Sequence, residues 1–97
     1  MGSSRSTDRA ATTFRALGHP TRLNVLRRLA EGPASPVDYT QAAASGESLG
    51  VVSHHFRALR QAGLIELAWT EQRRGALKRS YRLTDQGQQV SAWVRRL

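Results

Sequence analysis

Apolar residues recur at helical spacing along most of the chain and switch to alternation in one stretch. Val52, Phe56 and Leu59 stand at i, i+4 and i+7, on one side of a helix predicted over Leu49–Ala62. Gly50, Val51, His54 and Arg57 fall on the other side, with Ser53 at its flank. Upstream, Ala10, Phe14 and Leu17 stripe a first helix from about Arg9 to Leu17, capped by Thr7 or Asp8. Gly18-His19-Pro20 breaks it, and Pro20 suits the first turn of a second helix, where a missing N–H costs nothing. Leu23, Leu26, Leu29 and Ala30 carry the core face of that helix and Gly32 ends it. Ser35-Pro36-Val37-Asp38 starts a third helix, with Ser35 as cap and Asp38 returning a bond in a capping box. Val37, Tyr39 and Ala43 face inward there, and Ala44-Ser45-Gly46-Glu47 turns the chain into the Leu49–Ala62 helix. Two short helices around a tight turn form a helix-turn-helix.

After Gly63 the period becomes two. Ile65, Leu67 and Trp69 alternate with Glu66, Ala68 and Thr70, as in a half-buried strand. Leu77, Tyr81 and Leu83 repeat the pattern, with Lys78, Ser80 and Arg82 opposite. Glu71-Gln72-Arg73-Arg74-Gly75-Ala76 joins the two strands with a basic tip, so the hairpin reads as a wing. Thr84-Asp85 caps a last helix. Its stripe of Val90, Trp93, Val94 and Leu97 either folds back on its own domain or packs on another subunit. The predicted architecture is mainly α with a small β-hairpin: four helices, two strands and a helix, a winged helix-turn-helix. Residues 1–8 are expected to form a flexible arm, and residues 9–97 a single domain.

Composition narrows the function. The 97 residues carry 15 Lys+Arg against 7 Asp+Glu, a net charge of +8. That excess points to a polyanion: DNA, RNA or an acidic membrane. All the basic residues but Lys78 are arginine, the residue suited to bidentate phosphate and guanine contacts, although a GC-rich genome produces the same bias. The absence of cysteine removes disulfides, thiolate metal sites and a cysteine nucleophile, and fits a cytoplasmic protein. No apolar run approaches the roughly 20 residues that span a bilayer. The outward face of the Leu49–Ala62 helix holds small groups, hydrogen-bonding groups and a cation but no acid. Such a face can lie in a DNA major groove, where bulk or negative charge would block close approach.

Phe14-Arg15-Ala16-Leu17-Gly18-His19-Pro20-Thr21-Arg22-Leu23 resembles the "ALGHPTRL" signature of ArsR-like winged-helix transcriptional regulators. The block from Leu49 to Ile65 resembles their recognition helix, and the likeness covers about Arg9 to Leu83. The resemblance implies a homodimeric regulator, acting as a repressor, that binds an inverted-repeat operator in double-stranded DNA. It places Ser48, Gly50, Val51, Ser53, His54 and Arg57 against DNA, and Arg73, Arg74, Lys78 and Arg79 against phosphates, which position without reading sequence. It also implies a dimer interface from the first and last helices, drawing on Ala10, Phe14, Val90, Trp93, Val94 and Leu97. His55 is expected to turn partly inward beside Phe56. Arg22 either binds a phosphate or pairs with an acid such as Glu31 or Asp38.

The chain departs from the family in its ligand sites. With no cysteine, the arsenic and cadmium signature is absent, and the last helix has no histidine to pair with an acid as zinc and nickel sensors do. His54 and His55 point about 100° apart on a helix and do not chelate together. No cofactor is therefore expected, although a weak metal site using His19 or the N-terminal arm stays open. So does an effector, a small molecule or a protein. Catalysis is not expected, because Asp8, Asp38 and Asp85 read as cap or first-turn residues and no acid orients the Ser53-His54 pair. Two rival readings remain: a protein-interaction module using the basic face, and an RNA-binding winged helix. The second is disfavoured because Trp69 and Trp93 read as core or interface rather than as stacking platforms.

Overall fold

The computed structural model describes residues 3–43 and 46–96, with side chains at Asp8 and from Ala11 onward within those ranges. Its elements follow the predicted order: α1 (Ser3–Leu17), α2 (Pro20–Ala30), α3 (Pro36–Ala42), α4 (Leu49–Gln61), β1 (Ile65–Arg73), β2 (Ala76–Leu83) and α5 (Asp85–Arg95). The fold is a winged helix-turn-helix, mainly helical, with one antiparallel hairpin among the described residues.

Helix starts obey local chemistry where a capping side chain is present. Ser35 caps α3 and Asp38 completes the capping box, with hydrogen bonds of 3.1 Å in both directions. Thr84 caps α5 by accepting from the Gly87 N–H at 3.0 Å. α1 differs from expectation: it begins at Ser3, so Thr7 and Asp8 lie inside it rather than ahead of its first turn. No proline interrupts Ser3–Asp8, and the helix runs back through that stretch. At α2 the cap is His19, whose Nδ1 accepts from the Thr21 N–H at 3.2 Å, a role its spacing does not reveal.

The core sits between α2, α4 and the base of the hairpin. Val25, Leu26, Val52, Leu59, Leu64 and Ile65 are completely enclosed, each contributing roughly 1.5–3 kcal/mol. Val25 replaces Ala30 in the predicted set: Ala30 is exposed and Leu23 half-buried, because the buried arc of α2 is centred one position earlier. Val37 is likewise exposed, while Tyr39 is buried and Ala43 packs at the core's edge.

α4 ends in a Schellman motif. Gly63, at φ 78°, donates to the Arg60 carbonyl, and Leu64 donates to the Leu59 carbonyl, both at 3.0 Å. This stop buries Leu64 and aims the chain into β1. α5 then docks on the same corner so closely that a Cβ on Gly87 would sit 1.9 Å from the Leu64 carbonyl oxygen.

β1 and β2 pair from Ile65↔Leu83 to Arg73↔Ala76, with a bulge between Leu67 and Trp69. The connection shrinks to Arg74 and Gly75, both at positive φ (48° and 80°), a two-residue turn whose twist suits a hairpin. Ala34 exchanges hydrogen bonds of 3.1 and 2.9 Å with Tyr81, tying the segment before α3 to β2. The predicted alternation holds at the base, where Ile65, Tyr81 and Leu83 are buried. It fails further out: Leu67, Trp69 and Leu77 are about half exposed, because the hairpin extends beyond the helices that cover its base. Trp69 is therefore not a core residue.

Candidate nucleic-acid interface

α4 is fixed by its inward face, and its outward face follows from that. Val52, Phe56 and Leu59 are buried, and Phe56 is held between Tyr39 of α3 (ring centroids 6.2 Å apart) and Tyr81 of β2 (5.8 Å). Ser48 caps the helix, accepting from the Val51 N–H at 3.3 Å. Gly50, Val51, His54 and Arg57 then face solvent, Ser48 is exposed before the first turn, and Ser53 is half-buried. The adjacent histidines separate as helix geometry requires: His54 is outward, and His55 is only 4% exposed. No cluster of three or more His, Cys, Asp or Glu side chains able to hold a metal occurs among the described residues.

The wing brings a second set of cations beside this face. Arg73 and Arg74 stand exposed at the tip and Arg79 along β2. A cleft of about 450 Å³ separates β2 from α4 and the start of α3; Ser53, Arg57, Arg60 and Arg79 line it, over Leu49 and Leu77. Among the described residues, Arg57, Arg60, Arg74 and Arg79 have no carboxylate within 4.0 Å. Arg73 approaches Glu71 at 3.7 Å, an exposed pair that constrains it little. Arg60 is not distinguishable by sequence, because in the last turn of α4 it reads as an ordinary solvated position. Only the opposing β2 strand makes it part of a cationic cleft.

Lys78 is placed differently from the three wing arginines. Its ammonium lies 2.9 Å from Asp38 and 3.6 Å from Glu71. Asp38 thus serves both the α3 capping box and the wing. Burial works to raise its pKa, but the hydrogen bonds from Lys78 and Ser35 outweigh that and hold the carboxyl below its ordinary value.

Arg22 takes neither predicted acid. Its Nε donates to Nδ1 of His55 at 3.1 Å, and its Nη1 reaches the carbonyls of Arg15 and Ala16, each at 3.4 Å. Glu31 and Asp38 lie elsewhere in the fold, and Asp38 is occupied by Lys78.

A shallow, almost wholly apolar groove of about 230 Å³ lies between α1 and α5, lined by Phe14, Leu17, Val90 and Trp93 with Thr13 and Gln89. Phe14 is 65% and Trp93 51% exposed. Val94, expected on the same outward stripe, is instead 2% exposed and packs inside its own chain, since it points about 100° from Trp93. Leu97 lies outside the described residues, as does the side chain of Ala10.

A family model described as a helix-turn-helix domain matches residues 17–68. The chain is 37% identical over 62 residues, 64% of its length, to the HTH-type transcriptional regulator NmtR of Mycobacterium tuberculosis. That match spans 50% of the relative, so the chain corresponds to about half of it. Among solved structures, the chain is similar to the homodimeric winged helix-turn-helix DNA-binding domain (fragment 1–100) of Mb0332 from Mycobacterium bovis. The TM-score is 0.71 and the identity 28%, covering 95% of this chain and 80% of that one. It is also similar to the ArsR family transcriptional regulator RHA00566, with TM-score 0.68 and 25% identity over 93% of this chain and 87% of that one.

Proposed function

Since the chain belongs to the ArsR-like winged helix-turn-helix family, we propose that it is a homodimeric repressor that binds an inverted-repeat operator in double-stranded DNA. The observation that carries this reading is the outward face of α4, small and free of acids, flanked by arginines without carboxylate partners on both sides of one cleft. In this reading Gly50 and Val51 permit close approach to the groove, and Ser53, His54 and Arg57 reach base edges. Arg60, Arg73, Arg74 and Arg79 take phosphates. Lys78 keeps the wing against α3 and makes at most a secondary phosphate contact.

Phe14, Leu17, Val90 and Trp93 supply the pairing face. The homodimer in the Mb0332 fragment supports this assignment. A twofold axis through that face presents two α4 helices to half-sites about 34 Å apart. No metal or small-molecule effector is assigned.

The test is recovery of fragments from sheared genomic DNA, followed by a salt titration on the enriched sequence. One enriched palindrome, with affinity falling about 10³–10⁵-fold between 50 and 200 mM salt for ~6–10 phosphate contacts, supports the proposal. Uniform recovery with a nearly flat salt response overturns it.

A further inference from the structure

The buried face of α4 carries a polar network that packing alone does not require. His55, in the middle of the helix, is enclosed, and each of its ring nitrogens meets a charged group from another segment. Nδ1 lies 3.1 Å from Nε of Arg22 on α2, and Nε2 lies 3.7 Å from the carboxylate of Glu47 in the turn before α4. The same carboxylate accepts from Oγ1 of Thr21. The His19 ring, which caps α2, lies tilted against that of His55, with the ring centroids 4.3 Å apart.

The donor inventory fixes the protonation state. A guanidinium has N–H donors and no acceptor, so the Arg22–His55 contact requires the lone pair of Nδ1. The ring proton therefore sits on Nε2. A second proton could go only to Nδ1, where it would face an N–H and set a cation against a cation in an enclosed site. Nη1 of the same guanidinium reaches two carbonyls in the last turn of α1, those of Arg15 and Ala16, each at 3.4 Å, where a helix C-terminus favours positive charge. α1 also carries Phe14 and Leu17 of the apolar groove. One side chain thus spans the helix of the pairing face and the helix of the outward polar face.

We propose that His55 is a positioning residue: its unprotonated Nδ1 holds Arg22, and through it the end of α1, so that protonation uncouples α4 from α1 and weakens DNA binding. The DNA part of this inference rests on the function proposed above. The charged and titratable groups facing His55 come from every side of it. His19 and Arg22 come from α2 and its cap, His54 from α4, and Glu47 from the turn, where it also faces Tyr39 of α3. Burial, His19, Arg22 and His54 disfavour the charged ring; Glu47 alone favours it, and the balance lies below the ordinary histidine value.

The experiment has two independent readouts on the intact chain. In the free protein, nitrogen NMR of the histidine rings should find the lone pair of His55 on Nδ1. The backbone amides of Arg15–Leu17 and of α4 should shift with the same midpoint as that ring. On the enriched DNA, at constant salt and with unchanged far-UV circular dichroism, affinity should fall from pH 7.5 to a pH below the His55 transition that the nitrogen titration locates, with a slope approaching about one decade per pH unit per protomer below that transition. His55→Asn retains an acceptor near the Nδ1 position and does not titrate. Its affinities at the two pH values should lack the wild-type loss. His55→Phe leaves Arg22 unpaired and should bind more weakly than His55→Asn at both pH values. α1 amides that stay silent while His55 titrates, or a His55→Asn variant that keeps the wild-type acid loss, would overturn the proposal. A wild-type protein that binds no DNA at any pH would instead sink the DNA-binding reading, while the nitrogen and amide titrations still decide the α1–α4 coupling.

Discussion

Arg57 and Arg60 differ in what each can reach, and the difference is measurable. Arg57 is on the outward face of α4 and Arg60 one turn later at the cleft facing β2. Arg57→Ala should cost about 1–3 kcal/mol of DNA affinity and relax preference at one position of the half-site. Arg60→Ala should weaken all sequences alike and lower the salt slope by about 0.9 for each phosphate that Arg60 neutralises. Mobility-shift titrations on matched and mutated operators separate the two, and unchanged binding in either variant would remove that residue from the interface. Gly87 poses a stability question at the same scale. Adding a methyl there forces it onto the Leu64 carbonyl, so Gly87→Ala should destabilise by about 1–3 kcal/mol, as overpacking commonly does. Thermal unfolding checks this, and an unaltered midpoint would mean that α5 does not seat on Leu64.

At the scale of elements, the wing is fastened at its base by packing and on one flank by charge. Tyr81 and Leu83 are buried, Ala34 pairs with Tyr81, and Lys78 bridges Asp38 and Glu71. Because that bridge is partly open to solvent, Lys78→Gln should cost only up to about 1 kcal/mol. Its larger effect should be faster hydrogen exchange in β1 and β2 with α4 amides unchanged. The salt slope of DNA binding should also hold, whereas Arg79→Gln should lower it; an equal drop in both would return Lys78 to the phosphate contacts. The starts of α3 and α5 are legible in sequence because a Ser or Thr cap acts within one turn. The start of α1 is not, because nothing local stops that helix between Ser3 and Asp8. The outer wing departs from its sequence pattern for a related reason: alternation records a preference for burial, but a projecting hairpin has nothing to bury Leu67, Trp69 or Leu77.

Over the whole molecule, two predictions concern assembly and pH. Trp93→Glu puts a charge into the groove that also holds Phe14, and it should convert the proposed dimer to monomer in sedimentation equilibrium. An unchanged mass would move the interface elsewhere. Stability should be greatest near neutrality. His55 prefers its neutral form when folded, so its contribution is complete above about pH 6.5 and is lost as pH falls through its lower folded value. Asp38 prefers its charged form, and its contribution fades further down, as pH falls through a value below 3.8. Tyr39 has the opposite sign: burial, with Glu47 beside it, raises its pKa, so its contribution is lost only as pH rises beyond about 10. Thermal midpoints should therefore decline on both the acid and the alkaline side, and a midpoint that rises on acidification from pH 7 to 5 would contradict the placement of His55.

By itself, the sequence determined the order of elements, the inward and outward faces of α4 and the cationic character of the surface, because each follows from spacing or charge within a few residues. Tertiary structure alone decided that Val94 turns inward while Trp93 stays exposed. It also decided which cations are engaged, Lys78 by Asp38 and Arg22 by His55, and which are left to meet a ligand, Arg57, Arg60 and Arg79. Those choices depend on side chains up to 40 positions apart along the chain (Asp38 to Lys78) meeting within about 3 Å, a coincidence that no local pattern encodes.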